Sequence, residues 1–143
     1  MPYMPALTTA WTTTSTTHAA VTGMSFPVAA GRNYEFKFVV PASTGSTTVG
    51  IGFSINTPGS DTRLGWTAQI PSSTTAMTIL NSSSDSPDPG NSANLATTGL
   101  NLCVITGMVL PSLAGEVQLM AETESGTLTI YPGAYVWFRD LGI

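Results

Sequence analysis

The chain has 143 residues, of which 42% are hydrophobic and only 8% are charged. A chain of this length favours one domain whose core needs neither a disulfide nor a metal. Four basic residues and a net charge of −4 exclude the phosphate-binding patch that a nucleic-acid partner requires.

Because charged residues are few, the surface must be hydrated mainly by Ser and Thr. Such a surface suits a protein that is covered by neighbouring molecules, because few charged groups lose their water on association. The single cysteine, Cys103, excludes an internal disulfide. No stretch approaches the ~20 apolar residues of a membrane helix, and the N-terminus lacks a secretory pattern. We therefore expect synthesis in a reducing cytoplasm and no membrane partner.

Residues 1–17 are rich in Pro and Thr and lack periodicity, which predicts an extended arm. A frayed terminus is the alternative, but Tyr3, Met4, Leu7 and Trp11 are too apolar for a solvated tail. These four residues are the candidate interface, in contact with a neighbouring subunit or with another component of an assembly. Deleting the arm is expected to leave a folded domain that no longer binds its partner.

Strand patterns follow the arm. Tyr34, Phe36, Phe38 and Val40 alternate with polar residues, which is typical of a half-buried strand. The pattern recurs, less clearly, over residues 20–28, 47–55, 63–70 and 74–80. In the segment 47–55 one face is apolar and the other is small, so we expect close approach of another group there. Pro27 suggests that the first of these strands lies at a sheet edge.

Residues 81–100 lose this periodicity and predict a long surface loop. Asp85, Asp88 and Asn91 offer oxygen atoms to calcium, but their spacing matches no known calcium loop, so a calcium site stays an alternative.

The C-terminal third predicts further strands. Leu102 to Leu110 is expected to be buried on both faces near Val104 and Ile105. A hairpin partner begins at Gly115, and the last strand runs from residue 134 to 139. We predict an all-β chain, an antiparallel jelly-roll-like β-sandwich of about eight strands spanning residues 18–143, behind the arm of residues 1–17.

Catalytic groups are scarce. A Ser-His-Asp site would need the only histidine, His18, and no nucleophile elbow accompanies it. Cys103 lies in an apolar strand and is expected to be buried and inert. Glu122 and Glu124 could form a glycosidase pair, but two acids near a hairpin tip are more often solvated. One His and one Cys cannot supply a usual zinc site. We expect no enzyme activity and no cofactor or metal.

A series of short motifs occurs in the C-terminal half, at Ile105-Thr106-Gly107-Met108-Val109, Ala114-Gly115-Glu116-Val117-Gln118-Leu119 and Tyr131-Pro132-Gly133-Ala134, with Gly31 and Tyr34-Glu35-Phe36 upstream. These motifs resemble those of small structural proteins of tailed bacteriophages, and the resemblance covers roughly residues 20–143. Ala134 stands where Ser is commoner in that family.

The resemblance implies a jelly-roll-like sandwich on the outside of a virion, usually a homotrimer, as in capsid decoration (cement) proteins and head-fibre domains. The expected partners are the major capsid protein and other copies of the chain. The alternative is a receptor- or glycan-binding fibre domain, in which the 81–100 loop or exposed aromatics around Tyr131 and Tyr135 would contact the ligand.

Overall fold

A computed structural model of the chain describes residues 7–59, 63–82 and 93–143. Within these ranges the chain forms eleven strands and no helix. The strands are β1 (Trp11–Thr13), β2 (Ala19–Val28), β3 (Asn33–Ser43), β4 (Gly50–Asn56), β5 (Arg63–Ser73), β6 (Ala76–Ser82), β7 (Ala93–Asn94), β8 (Asn101–Leu110), β9 (Gly115–Thr123), β10 (Leu128–Ile130) and β11 (Tyr135–Gly142).

The strands form two antiparallel sheets. The large sheet has the order β1-β10-β3-β8-β5-β6, with β11 also paired to β3, and the small sheet has the order β2-β9-β4-β7. The all-β sandwich architecture is therefore confirmed, whereas the jelly-roll connectivity stays a prediction. Strand β2 lies at an edge of the small sheet, as Pro27 suggested.

The core lies between the sheets and is centred on aromatic rings from both. Phe26 of the small sheet stacks on Phe138 of the large sheet with ring centroids 4.8 Å apart, and it contacts Phe36 at 5.6 Å. The alternation in β3 is confirmed, because its aromatic residues are buried whereas Lys37 is exposed. Rings in tilted contact of this kind add to the stabilisation from burial.

Strand β4 differs from a half-buried strand, since every residue from Gly50 to Ile55 is buried. The small residues on its second face do allow a close approach. A Cβ atom built on Gly50 would lie 2.7 Å from the side-chain Cδ of Glu124, which is too close for any larger residue without a shift.

The prediction that strand β8 is buried on both faces is wrong, because one of its faces is exposed. Ile105 is fully buried, but Val104 is only half-buried. Leu102 and Met108, on the same face as Val104, are 50% and 54% exposed. The apolar residues on this side of β8 therefore lie on the surface of the domain.

Candidate interaction surface

The solvent-facing side of the large sheet, called here the outer face, is the most distinctive surface of the molecule. The antiparallel register aligns its side chains in rows that cross the strands. One row consists of Tyr135, Val39, Val104, Gln69 and Ile79, contributed by β11, β3, β8, β5 and β6. Residues that are paired across neighbouring strands point to the same side of the sheet. The side chains of this row therefore form a continuous strip on the outer face.

One end of the outer face is apolar. Ile79 is 57% exposed, and Met77 and Leu102 are each 50% exposed. Large apolar side chains clustered on a surface mark an interaction site more often than the same residues scattered singly. We call this region, defined by Met77, Ile79, Leu102 and Val104, the apolar end.

The charges of the outer face lie at the other end. Arg139 Nη2 and Glu35 Oε1 are 2.6 Å apart, and their residues are paired across β11 and β3. Lys37 lies one row away, opposite Trp137. Such exposed pairs contribute little to stability. Their charges nevertheless make this end of the outer face polar, in contrast to the apolar end.

A shallow depression of about 330 Å³ lies at the charged end of the outer face. Glu35, Lys37, Thr106, Met108 and Trp137 contribute to its lining. The indole N–H of Trp137 is buried and has no acceptor within the described ranges. Buried indole N–H groups usually have a partner, so this donor is an unsatisfied group at the base of the outer face.

The residues of the candidate interface in the arm have different positions. Tyr3 and Met4 lie outside the described residues. Leu7 packs against the core, and its backbone N–H donates to the carbonyl of Ala134 at 2.7 Å. Trp11 also packs against the core and is paired with Ile130 through β1 and β10. The described part of the arm thus contacts its own domain.

The candidate catalytic groups lie apart from the outer face. His18 is buried with Nε2 3.8 Å from Glu122 Oε1 on the small-sheet side. The expectation that both acids are solvated is wrong for Glu122, which is buried. The Glu124 carboxylate accepts a hydrogen bond from the Gly50 N–H at 3.0 Å. Burial raises the pKa of the Cys103 thiol to about 12, which keeps it protonated.

Within the described ranges no group of three or more His, Cys, Asp or Glu residues could hold a metal ion. The alternative calcium ligands, Asp85, Asp88 and Asn91, lie outside those ranges. In the same part of the chain no helix is long and apolar enough to cross a membrane.

The aromatic residues divide between core and surface. Trp66 is 3% exposed and belongs to the core, whereas Tyr135 is 36% exposed on the outer face. Tyr131 is half-buried beyond β10. The outer face cannot be recognised from the sequence pattern of β8, because apolar residues on both faces also predict a strand that is buried on both faces. An apolar run on both faces of a strand is also what a strand covered by a partner molecule requires.

The chain matches no protein-family model, and comparisons with curated proteins and with solved structures give no match.

Proposed function

We propose that the protein is a virion structural protein of a tailed bacteriophage, a capsid decoration protein that binds the outside of the assembled capsid. The observation that carries this proposal is the apolar end of the outer face. In this region Leu102, Met77 and Ile79 are each at least half exposed to solvent. The chain has few charged residues that could keep the rest of such a surface hydrated. The resemblance of the segments 26–36 and 105–134 to phage structural proteins supplies the kind of partner.

The chemistry of the apolar end fits a protein partner better than a polar ligand. Cores of protein interfaces are depleted of charge and enriched in large apolar side chains. None of the residues from Gly65 to Ser82, or from Asn101 to Leu110, carries a formal charge at neutral pH. Association through these strands therefore removes water from apolar groups without desolvating ions.

The mechanism in this proposal is thermodynamic. A ligand that binds only the assembled capsid stabilises the assembled state by mass action. Many copies on one particle add their contributions, and a homotrimer, which the resemblance implies, would add the gain of multivalent attachment. The major capsid protein is the proposed partner.

The test is co-sedimentation with capsids assembled from the major capsid protein of the same phage. We expect the wild-type chain to pellet with capsids and Leu102→Lys to pellet at least tenfold less, because a charge would be buried in the contact. Leu113→Lys is the matched control, since Leu113 is 57% exposed in the turn after β8. Equal binding by both variants, or no binding by the wild type, would refute the proposal.

Deletion of residues 1–17 is a poor substitute for this test. It would remove β1 from the large sheet together with the packing of Leu7 and Trp11 on the core. A loss of binding would then be confounded with a loss of stability.

A second candidate, a glycan-binding fibre domain, is favoured by one observation. Tyr135 is 36% exposed on the outer face, and Trp137 lies two residues along the same strand. Exposed aromatic rings are the usual stacking platforms for sugars. This function predicts a positive glycan array whose signal is lost in Tyr135→Ala, and a blank array would count against it.

A further inference from the structure

We propose that β6 is a self-association edge, at which two copies of the chain pair β6 with β6 in antiparallel fashion about a two-fold axis. Strand β6 is the last strand of the large sheet and pairs with β5 on one side. No strand in residues 7–59, 63–82 or 93–143 pairs with its other side. An edge strand presents backbone N–H and C=O groups that can accept another strand.

The other sheet edges carry features that oppose strand addition. Strand β2 contains Pro27 and an irregularity between Ala20 and Ser25. Strand β11 contains Arg139 and Asp140 and a register shift at its end. Proline, charge and bulges are the usual means by which proteins block edge pairing.

The remaining edges are short. Strand β7 has two residues and β1 has three, so neither offers a long template. Strand β6 has seven residues, of which Ala76 to Asn81 offer a pairing length of roughly 20 Å. It contains neither proline nor a formally charged residue. The irregularity in its pairing with β5, between Pro71 and Ser73, lies on β5 and leaves β6 itself without an extra residue. Among the edges formed by described strands, β6 is thus the long one without proline, charge or a bulge of its own.

A second copy is the occupant that fits this edge. Antiparallel pairing is the arrangement in which a strand is complementary to itself, because a two-fold axis across it places residue i against j and j against i. The chain has a net charge of −4, but residues 65–84 carry no charge, so two copies meeting here bring no like charges together.

The side chains of β6 support the same contact. Met77 and Ile79 lie on the outer face, 50% and 57% exposed, whereas Leu80 faces the core. Pairing two β6 strands would place Met77 and Ile79 of one copy beside those of the other. The apolar ends of both outer faces would then become one continuous surface on a joined sheet.

This inference shares Met77 and Ile79 with the proposed function, but it is tested on the chain alone, without capsids, so the two can fail separately. A β6 pair joins two of whatever units the chain otherwise forms. If that unit is a monomer of 14.8 kDa, the pair is a dimer of twice that mass. If the unit is a trimer on a capsid, the pair would link neighbouring trimers across a two-fold axis.

The first test is the solution mass of the full chain, measured by light scattering and sedimentation over a range of concentrations. Ile79→Lys places like charges across the axis, and we expect the mass at high concentration to fall twofold. Leu113→Lys, with the same 57% exposure outside the edge, should keep the wild-type mass. A wild-type chain whose mass is independent of concentration and unchanged by Ile79→Lys would overturn the proposal.

The second test is disulfide trapping, which also reads the register. Cysteine is introduced at Met77, Ile79 or Asn81, singly and in mixed pairs of variants, and oxidised. The native Cys103 is buried and has a pKa of about 12, so it should not interfere. We expect a band of twice the chain mass from at least one combination.

Leu113→Cys is the control for random collision. Cross-linking at residue 113 equal to that at every β6 position would mean non-specific association and would refute the pairing. Absence of any cross-link in folded β6 variants would do the same.

Discussion

Gly107 of β8 lies against the aromatic ring of Phe36 on the paired strand β3. A Cβ atom built on Gly107 would lie 2.5 Å from Phe36 Cζ and 2.6 Å from the carbonyl oxygen of Gly65. Neither a packed core ring nor a backbone oxygen can move away cheaply. Glycine at this position therefore lets the ring of Phe36 fill the space beside the central strand of the large sheet.

We predict that Gly107→Ala lowers the free energy of unfolding by about 1–3 kcal/mol, the usual cost of overpacking. The measurement is urea unfolding followed by tryptophan fluorescence. Gly65→Ala is the matched control, because no atom lies within 4 Å of a Cβ built there. The control should be neutral or slightly stabilising. Similar losses in both variants would contradict this account of Gly107.

Asn101 is predicted to be the main polar support of the segment before β8. Its side-chain amide donates to the carbonyls of Ala42, Thr97 and Gly99 at 3.0–3.3 Å, and its side-chain oxygen accepts from the Thr97 N–H at 3.0 Å. Asn101→Ala leaves these groups without that partner and should cost about 2–3 kcal/mol.

The same unfolding assay tests this prediction, with Asn56→Ala as the control. Asn56 is exposed at the end of β4, so its loss should change stability by less than about 0.5 kcal/mol. An Asn101→Ala chain as stable as the control would show that the buried amide is dispensable.

Cys103 is predicted to be chemically silent in the folded protein. Its pKa of about 12, raised from 9.0 by burial, keeps the thiol neutral at pH 8. A thiol reagent should therefore label no cysteine in the folded chain and one cysteine per chain in denaturant. Rapid labelling without denaturant would show that Cys103 is accessible.

The raised pKa also sets a pH dependence. The unfolded thiol loses its proton near pH 9.0, whereas the folded thiol keeps it to about pH 12. This group's contribution to stability is therefore present below pH 9.0 and is lost as the pH rises towards 12. Cys103→Ala should show a shallower loss of stability over that range, and an identical slope would contradict the assignment.

Asp140 is predicted to titrate below its usual range. Its Oδ2 accepts a hydrogen bond from Arg32 Nε at 2.7 Å, and its Oδ1 accepts one from the Gly142 N–H at 2.8 Å. Both interactions favour the carboxylate, with the Arg32 hydrogen bond the larger cause of the lowered pKa. The resulting contribution to stability is present above the unfolded pKa and is lost as the pH falls through the folded one.

Carbon-13 NMR of the side-chain carboxyl measures this pKa directly. Arg32→Gln should raise it towards 3.8, although the Gly142 hydrogen bond remains. Arg139→Gln is the control, because Arg139 pairs with Glu35 instead. A pKa that does not respond to Arg32→Gln would contradict the pairing.

Much of the fold could be predicted because alternation in a strand reports which side is buried. Tyr34, Phe36 and Phe38 show this clearly, since their polar neighbours on β3 lie on the other face. The alternation failed where both faces have the same character. In β4 the second face consists of small residues that are buried, and in β8 it consists of apolar residues that are exposed.

The candidate surface could not be predicted in the same way, because it depends on register. Val104 and Ile79 become part of one strip only when β8, β5 and β6 pair as they do. Conversely, the apolar side chain of Trp11 predicted contact with another molecule. Its packing against the chain's own core accounts for part of that apolar character.

The central claim, that the protein stabilises an assembled capsid, is tested most directly by the heat stability of the capsid itself. Capsids lacking the protein are heated with and without a saturating amount of the purified chain, and their disruption is followed by light scattering and DNA release. We predict a higher disruption temperature with the wild type and with Leu113→Lys, and no rise with Leu102→Lys. An unchanged disruption temperature with saturating wild-type protein would contradict the claim.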